Sequence, residues 1–308
     1  MASMDNQVKT IIDQVGTVLL GKEQQIKLSL ACLLARGHLL IEDLPGMGKT
    51  TLAHALSGVL GLNYQRIQCT SDMLPADVLG FSIFNQRDSS FVFHPGPVFT
   101  QVLLADEINR TSPKTQSALL EAMEERQVTI DGQTRELPNP FFVMATQNPS
   151  DQSGTYLLPE SQLDRFLMRI TLGYPNPKAE RKLYEGLDPR EQLKRLKPQL
   201  NAEKLLALQK QIDGIKTTDA LLAYVERLVL LTRTHARFRF GLSPRAALAL
   251  IRSAKAWAFI EGREYVIPED VQTVFDAVVV HRLRNAADYS QGDRSLSEWI
   301  LNQVNVVS

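Results

Sequence analysis

Only two cysteines occur in 308 residues, Cys32 within an apolar helical run and Cys69 in an expected strand. They are too few for a disulfide framework. With no CxxC or histidine spacing around them they also argue against a zinc site, and both read as buried thiols of a reduced compartment. An excess of one charge is lacking too: 34 Lys and Arg balance 34 Asp and Glu. No global field therefore favours nucleic acid or an anionic membrane, although a local basic groove could sit inside a zero sum. Long hydrophobic runs are missing. No window approaches the roughly 18 to 20 apolar residues of a membrane helix, and the first ten residues, MASMDNQVKT, hold no secretory apolar core. A cytoplasmic chain with no membrane segment is expected.

What is present is 44% apolar content, enough for one large domain or two of ordinary size. Residues 6 to 36 read as helices, with Ile26, Leu30, Leu33 and Leu34 on one face at spacings of three and four. Short strands are expected at 38–42, 64–69, 101–105, 141–145 and 167–172. Four of the five are largely apolar, as strands buried on both faces should be, and the helices between them predict a parallel α/β sheet of five strands. Two polar inserts interrupt the alternation. Residues 80–99 alternate aromatic and polar side chains around a turn at 87–90, and 126–140 form a second hairpin around Asp131-Gly132. After YPNPK (174–178) the strand signals stop. Helices are expected at 179–187, 202–213, 218–235, 243–260, 268–283 and 295–305, with Ser243 capping the fourth. The chain thus divides into an α/β core over 1–175 and an all-α domain over 176–308.

The stretch HLLIEDLPGMGKTTL (38–52) nearly spells the phosphate-binding pattern GxxxxGK[ST], with Asp43 where the first glycine belongs. The working parts of such a loop are backbone amides that converge on phosphate oxygens, a lysine for the outer phosphates and a hydroxyl for Mg²⁺. Gly46, Gly48, Lys49 and Thr50 supply them, within a loop running through Leu44, Pro45, Gly46, Met47, Gly48, Lys49, Thr50 and Thr51. Asp43 is the strand-exit residue, a departure the loop can tolerate, its carboxylate facing solvent or a basic neighbour. VLLADEIN (102–109) answers the loop, since a strand ending in adjacent carboxylates can hold Mg²⁺ through Asp106 and polarise the attacking water through Glu107. In MATQNP (144–149), Asn148 sits where open α/β sheets place ligands and can hydrogen-bond the terminal phosphate and the water. Two arginines complete the set. Arg165 in QLDRF is either a surface residue paired with Asp164 or a finger reaching a neighbouring subunit's γ-phosphate. Arg245 lies in the first turn of a helix, where a cation opposes the helix dipole by about 0.3 to 1 kcal/mol unless a phosphate reverses the sign.

The order of these parts resembles the AAA+ ATPases, and the MoxR family in particular, over nearly the whole chain. LPGMGKT, LLADEINRTSPKTQSALLEAMEERQVTIDG, ATQNP, LPESQLDRF and GLSPRA look like that family's Walker A, Walker B with its following helix and hairpin, sensor 1, arginine-finger and sensor 2 segments. The resemblance implies a five-stranded P-loop core with a helical lid, a homo-oligomeric ring, hexameric in form, and hydrolysis of ATP with Mg²⁺ at subunit interfaces. It further implies that 80–99 is an insert within helix 2 and 126–140 a pre-sensor-1 hairpin. Leu20 and Gly21 would border the adenine, Arg165 would act in trans with Arg169 as its rival, and Arg245 would be the lid sensor. The output implied is chaperone-like remodelling or activation of protein clients, with a von Willebrand factor A (VWA) domain partner. Alternatives are a dedicated motor subunit of a chelatase or carboxylase-activase complex and a nucleic-acid translocase. The balanced charges of 126–140 speak against stable nucleic-acid binding. Phe81, Phe84, Phe91 and Phe93 either pack the insert onto its own sheet or grip protein segments.

Overall fold

The computed structural model describes residues 2–148, 154–186, 188–287 and 294–306, so Pro149 of the ATQNP motif lies outside the described residues. Two helices, α1 (Ala2–Val18) and α2 (Glu23–Leu34), precede strand β1 (Leu39–Glu42), which leads through the Gly-rich loop into α3 (Lys49–Val59). β2 (Tyr64–Gln68), the short α4 (Pro75–Leu79), a hairpin of β3 (Gly80–Asn85) and β4 (Ser90–Pro95), and β5 (Val102–Asp106) follow. α5 (Pro113–Glu125) runs into a second hairpin, β6 (Gln127–Ile130) and β7 (Gln133–Glu136), before β8 (Phe142–Gln147), α6 (Glu160–Leu163) and β9 (Met168–Ile170). Beyond β9 the described elements are helical: α7 (Pro177–Tyr184), α8 (Pro189–Arg195), α9 (Ala202–Asp213), α10 (Asp219–Thr234), α11 (Pro244–Ile260), α12 (Pro268–Val279) and α13 (Arg294–Gln303).

The five sheet strands are parallel in the order β2-β5-β8-β1-β9. Their side chains alternate between two separate cores, as the two-residue period of a strand requires. Leu39, Ile41, Val102, Leu104, Phe142 and Met144 point to one face, which is covered by α1, α2, α3 and the C-terminal helices. Leu40, Leu103, Ala105, Val143 and Ala145 point to the other, covered by α5 and the stems of the two inserts. Burial on both faces is why the central strands read as unbroken apolar runs. Each fully buried aliphatic side chain contributes roughly 1.5 to 3 kcal/mol. β2, the exception in the sequence, lies at the sheet edge with Gln65, Arg66 and Gln68 exposed.

Local chemistry explains the boundaries. Ser243 accepts from the backbone N–H of Ala246 at 3.1 Å, capping α11 ahead of Pro244. Asn176, Asn201 and Thr218 cap α7, α9 and α10 in the same way. Asp131 and Gly132 both take positive φ, 53° and 73°, as a two-residue hairpin turn of this type requires. The first hairpin turns one residue earlier than the sequence suggests, over 86–89, and its aromatics divide: Phe81, Phe84 and Phe91 are exposed, while Phe93 packs edge-on against Phe99 at the second core. The helices α4, α6 and α8 have no counterpart in the sequence reading. Each is seven residues or shorter, too brief to show a helical period.

Candidate active site

The loop, the two acids and Asn148 follow β1, β5 and β8, three neighbouring strands, at their carboxyl ends. That is the edge at which parallel sheets bind ligands. Gly46 and Gly48 both have positive φ, 83° and 92°, and a Cβ on Gly46 would meet nothing within 4 Å. The backbone there is free to approach a ligand closely. Lys49 is the first residue of α3 and is buried, with Nζ donating to the carbonyl of Asp43 at 2.6 Å. Burial lowers its pKa, while Asp106, Asp43 and Glu107 act to raise it and favour the charged form. Thr50 and Thr51 continue the first turn of α3, half-buried. Leu44 and Pro45 are exposed, and Met47 packs against the larger core.

Asp43 does not face solvent. Its carboxylate is buried and accepts from the N–H of Leu44 at 2.8 Å and from the N–H of Gly173 at 2.6 Å. Lys22, whose Nζ donates to the carbonyls of Leu172, at 2.7 Å, and Tyr174, holds the same 172–174 segment from the other side. Two of the sequence's expectations about this residue therefore divide: the solvent-facing carboxylate is overturned, and the basic neighbours are found, since Asp43 acts electrostatically on both Lys22 and Lys49. Where glycine would ease the turn, the side chain of Asp43 builds it with two hydrogen bonds. Gly21, with φ of 69°, sits against Asn176, where a Cβ would come within 2.7 Å of its amide nitrogen. Leu20 and Gly21 line a cavity of about 390 Å³ together with Ile12, Asp13, Ile26 and Lys182.

The acids are held by a network. Thr146, fully buried on β8, donates to Oδ1 of Asp106 at 2.6 Å and accepts from the N–H of Glu107 at 2.8 Å. Arg66 on β2 donates to Oδ2 of Asp106 at 2.7 Å and to Oε1 of Gln68 at 2.7 Å. Gln68 in turn donates to Oε2 of Glu107 at 2.9 Å, and Arg110 reaches the same oxygen at 3.0 Å. Glu107 has φ of 57°, a left-handed backbone that few non-glycine residues take, at the turn between β5 and the segment that follows. Asp106 offers one carboxylate at the end of β5, which fits Mg²⁺, an ion that keeps waters and substrate phosphates as most of its ligands. Asn148 follows β8 directly, half-buried. Thr146, Arg66 and Gln68 were not singled out from sequence. The alternation of Arg66 and Gln68 along an otherwise unremarked edge strand was the available signal.

The arginines lie elsewhere in the subunit. Arg165 donates to the carbonyl of Leu120 at 2.7 Å and pairs with Glu124 at 3.0 Å; Arg245 pairs with the other oxygen of Glu124. They line a cavity of about 230 Å³ that also includes Gly37 and His38, just before β1, and none of the residues lining it belongs to the Gly-rich loop, just after β1. The four residues of β1 alone set the two places about 13 Å apart. Arg245 is placed there because α11 and α12 pack on α2 and β9 through the larger core. Arg169 lies within β9 and pairs with Glu42 on β1 at 2.8 Å.

This fold and this carboxyl-edge constellation define an AAA+ ATPase. The family model described as "ATPase family associated with various cellular activities (AAA)" matches residues 38–168, and an AAA lid domain model matches 230–299. Chaperone MoxR1 of Mycobacterium tuberculosis is 40% identical over 99% of this chain and 82% of its own length. The uncharacterized protein YeaC of Bacillus subtilis is 45% identical over 88% of this chain and 85% of its own. A crystal structure of an ATPase candidate from Cytophaga hutchinsonii superposes with a TM-score of 0.88 at 38% identity, covering 99% and 96% of the two chains. The chain belongs to the MoxR family of AAA+ ATPases.

Proposed function

We propose that this chain hydrolyses ATP at sites completed by a neighbouring copy, in a ring that the family resemblance makes hexameric, and uses the cycle to remodel or activate protein clients. Bound Mg²⁺ would neutralise phosphate charge, held by Thr50 and Asp106. The other roles fall to the chain's own groups. Within the 44–51 loop the backbone N–H groups of residues 46–51 and the amine of Lys49 bind the phosphates, with Leu44 and Pro45 bordering them, the 20–21 turn borders the base, Glu107 takes the proton of the attacking water, and Asn148 orients that water. The observation that supports the reading is that Arg165 and Arg245 line a cavity with Gly37 and His38, just before β1, whose lining includes no residue of the phosphate loop after β1. A neighbour's nucleotide is the anion they suit. Arg165 is favoured over Arg169, which lies within a sheet strand and is less exposed than Arg165. The division into a core of 1–175 and a lid of 176–308 belongs to the same reading.

Chaperone-like work on proteins is supported by the name of the mycobacterial relative and by the exposed aromatics of the first hairpin. A VWA-domain partner and a cytoplasmic location are part of the proposal, and no described helix is long and apolar enough to cross a membrane. Nucleic acid is disfavoured at the second hairpin, where Arg135 is engaged over the ring of Phe93 at 4.0 Å. The test is ATP hydrolysis as a function of protein concentration, with mass measured in parallel, for the parent chain, Glu107→Gln and Arg165→Ala. Turnover per subunit should rise as the chain assembles and vanish in both variants while ATP binding persists. Concentration-independent turnover, or retained turnover in Arg165→Ala, would refute the reading.

A further inference from the structure

Glu124 lies in the last turn of α5 with its two carboxylate oxygens occupied by different parts of the molecule: Arg165, from the segment before β9, takes one, and Arg245, from the first turn of α11, takes the other. The cavity around them is rich in cations, lined by Arg36, Arg126, Arg165, Arg245, Arg252 and Arg282 against two acids, Glu124 and Asp164. Asp164 is committed to Arg282 at 2.6 Å, and Arg36 finds its partner outside the cavity, in Asp213 at 2.9 Å. Glu124 is thus one negative charge serving two guanidinium groups. The arrangement leaves the cavity short of anions.

We propose that Glu124 is an internal stand-in for a phosphate, holding Arg165 and Arg245 side by side in the free subunit and yielding both to the terminal phosphate of ATP carried by a neighbouring copy. This rests on the reading that the two arginines act in trans. A guanidinium prefers the more highly charged partner with more oxygens, so the exchange favours ATP. ADP lacks the phosphate that would displace the carboxylate, and leaves both pairs intact. Glu124 is then a positioning residue that makes assembly depend on the nucleotide: it pre-aligns two arginines from separate parts of the chain and opposes their release to anything less charged than a terminal phosphate. All three side chains are 30% to 48% exposed, so each pair is of modest strength and can be exchanged.

The experiment compares Glu124→Gln with its parent, both in the full chain carrying Glu107→Gln, by sedimentation over a range of protein concentrations with Mg²⁺ and either ATP or ADP. With ATP, Glu124→Gln should assemble at a roughly three- to ten-fold lower concentration, the range expected for two half-exposed ion pairs. With ADP the midpoint should not move. An unchanged or raised midpoint with ATP, or an equal shift with ADP, overturns the proposal. Thermal unfolding checks that the variant is folded, and Glu124→Ala must shift in the same direction. If Arg165→Ala abolishes turnover while Glu124→Gln assembles like its parent, this inference fails alone; if Arg165→Ala retains turnover, the trans reading fails with it.

Discussion

The hydroxyl of Thr146 donates to Oδ1 of Asp106 across 2.6 Å in a fully buried position. Because the same oxygen accepts from the N–H of Glu107, one side chain sets the orientation of both acids. Thr146→Val keeps the shape and removes the hydroxyl, leaving a buried carboxylate oxygen and an amide without a partner. The expected cost is about 1 to 3 kcal/mol of stability, together with slower hydrolysis at unchanged ATP affinity. Chemical denaturation and single-turnover kinetics on the same preparation measure the two effects; full turnover in the variant would remove Thr146 from the site.

Arg66 places a cation 2.7 Å from Oδ2 of Asp106, on the carboxylate that suits Mg²⁺. The pair is half-exposed on the arginine side and worth about 1 kcal/mol at most. Arg66→Gln should lower the Mg²⁺ concentration at which a fluorescent ATP analogue binds tightly, by no more than about five-fold. A raised Mg²⁺ requirement would show instead that Arg66 supports the metal site.

His38 is buried between its partners, with Nδ1 accepting from the N–H of Val143 at 3.0 Å and Nε2 placed to donate to the carbonyl of Met123 at 3.1 Å. Burial pushes its pKa down to about 4, and the buried His281 is lowered in the same direction. The unfolded chain therefore binds more protons between about pH 6.5 and 4, so the stability owed to neutral His38 is complete above the unfolded pKa and is lost as pH falls through that window. The loss is on the order of 3 kcal/mol for His38 alone. Denaturation midpoints from pH 7.5 to 4.5 should fall more steeply for the parent than for His38→Gln, whose stability at neutral pH should be lower. Equal slopes would exclude His38 as the source.

Phe84 and Phe91 face each other across the first hairpin with ring centroids 5.3 Å apart, and they are 50% and 73% exposed. Neither side chain belongs to the two buried cores on the faces of the five-stranded sheet. Phe84→Ala with Phe91→Ala should leave basal hydrolysis and thermal stability nearly unchanged while weakening client or partner binding at least ten-fold. Unaltered binding would assign the hairpin another task.

The strands and their parallel sheet were legible in the sequence because strands buried on both faces leave unbroken apolar runs, and three of those runs lead directly into the GKT, DE and QN motifs. Helix α9 is found with the boundaries the sequence suggests, 202–213, since Asn201 caps it. Less legible were relationships that depend on which strands become neighbours. Nothing in YQRIQ says that its alternate polar residues will lie against DE, and nothing in LEAMEE says that Glu124 will meet arginines 41 and 121 positions away. Asp43 was readable as a departure from the loop pattern. Its use emerges only when β9 delivers the N–H of Gly173 to it.

Arg282, almost fully buried, donates to Asp164 at 2.6 Å and to the carbonyls of Phe166 and Leu167 at 2.7 and 3.1 Å, while His281 is 3.0 Å from the carbonyl of Phe166. The residues on both sides of Arg165 are thus bolted to the end of α12, and Arg284 adds a pair to Glu160 just upstream. Mechanically, Arg165 is mounted on the C-terminal helices although it is encoded beside a strand. Because Leu167 also donates its N–H to the carbonyl of His38 at 2.8 Å, the short segment carrying Arg165 ties those helices to the strand that leads into the phosphate loop.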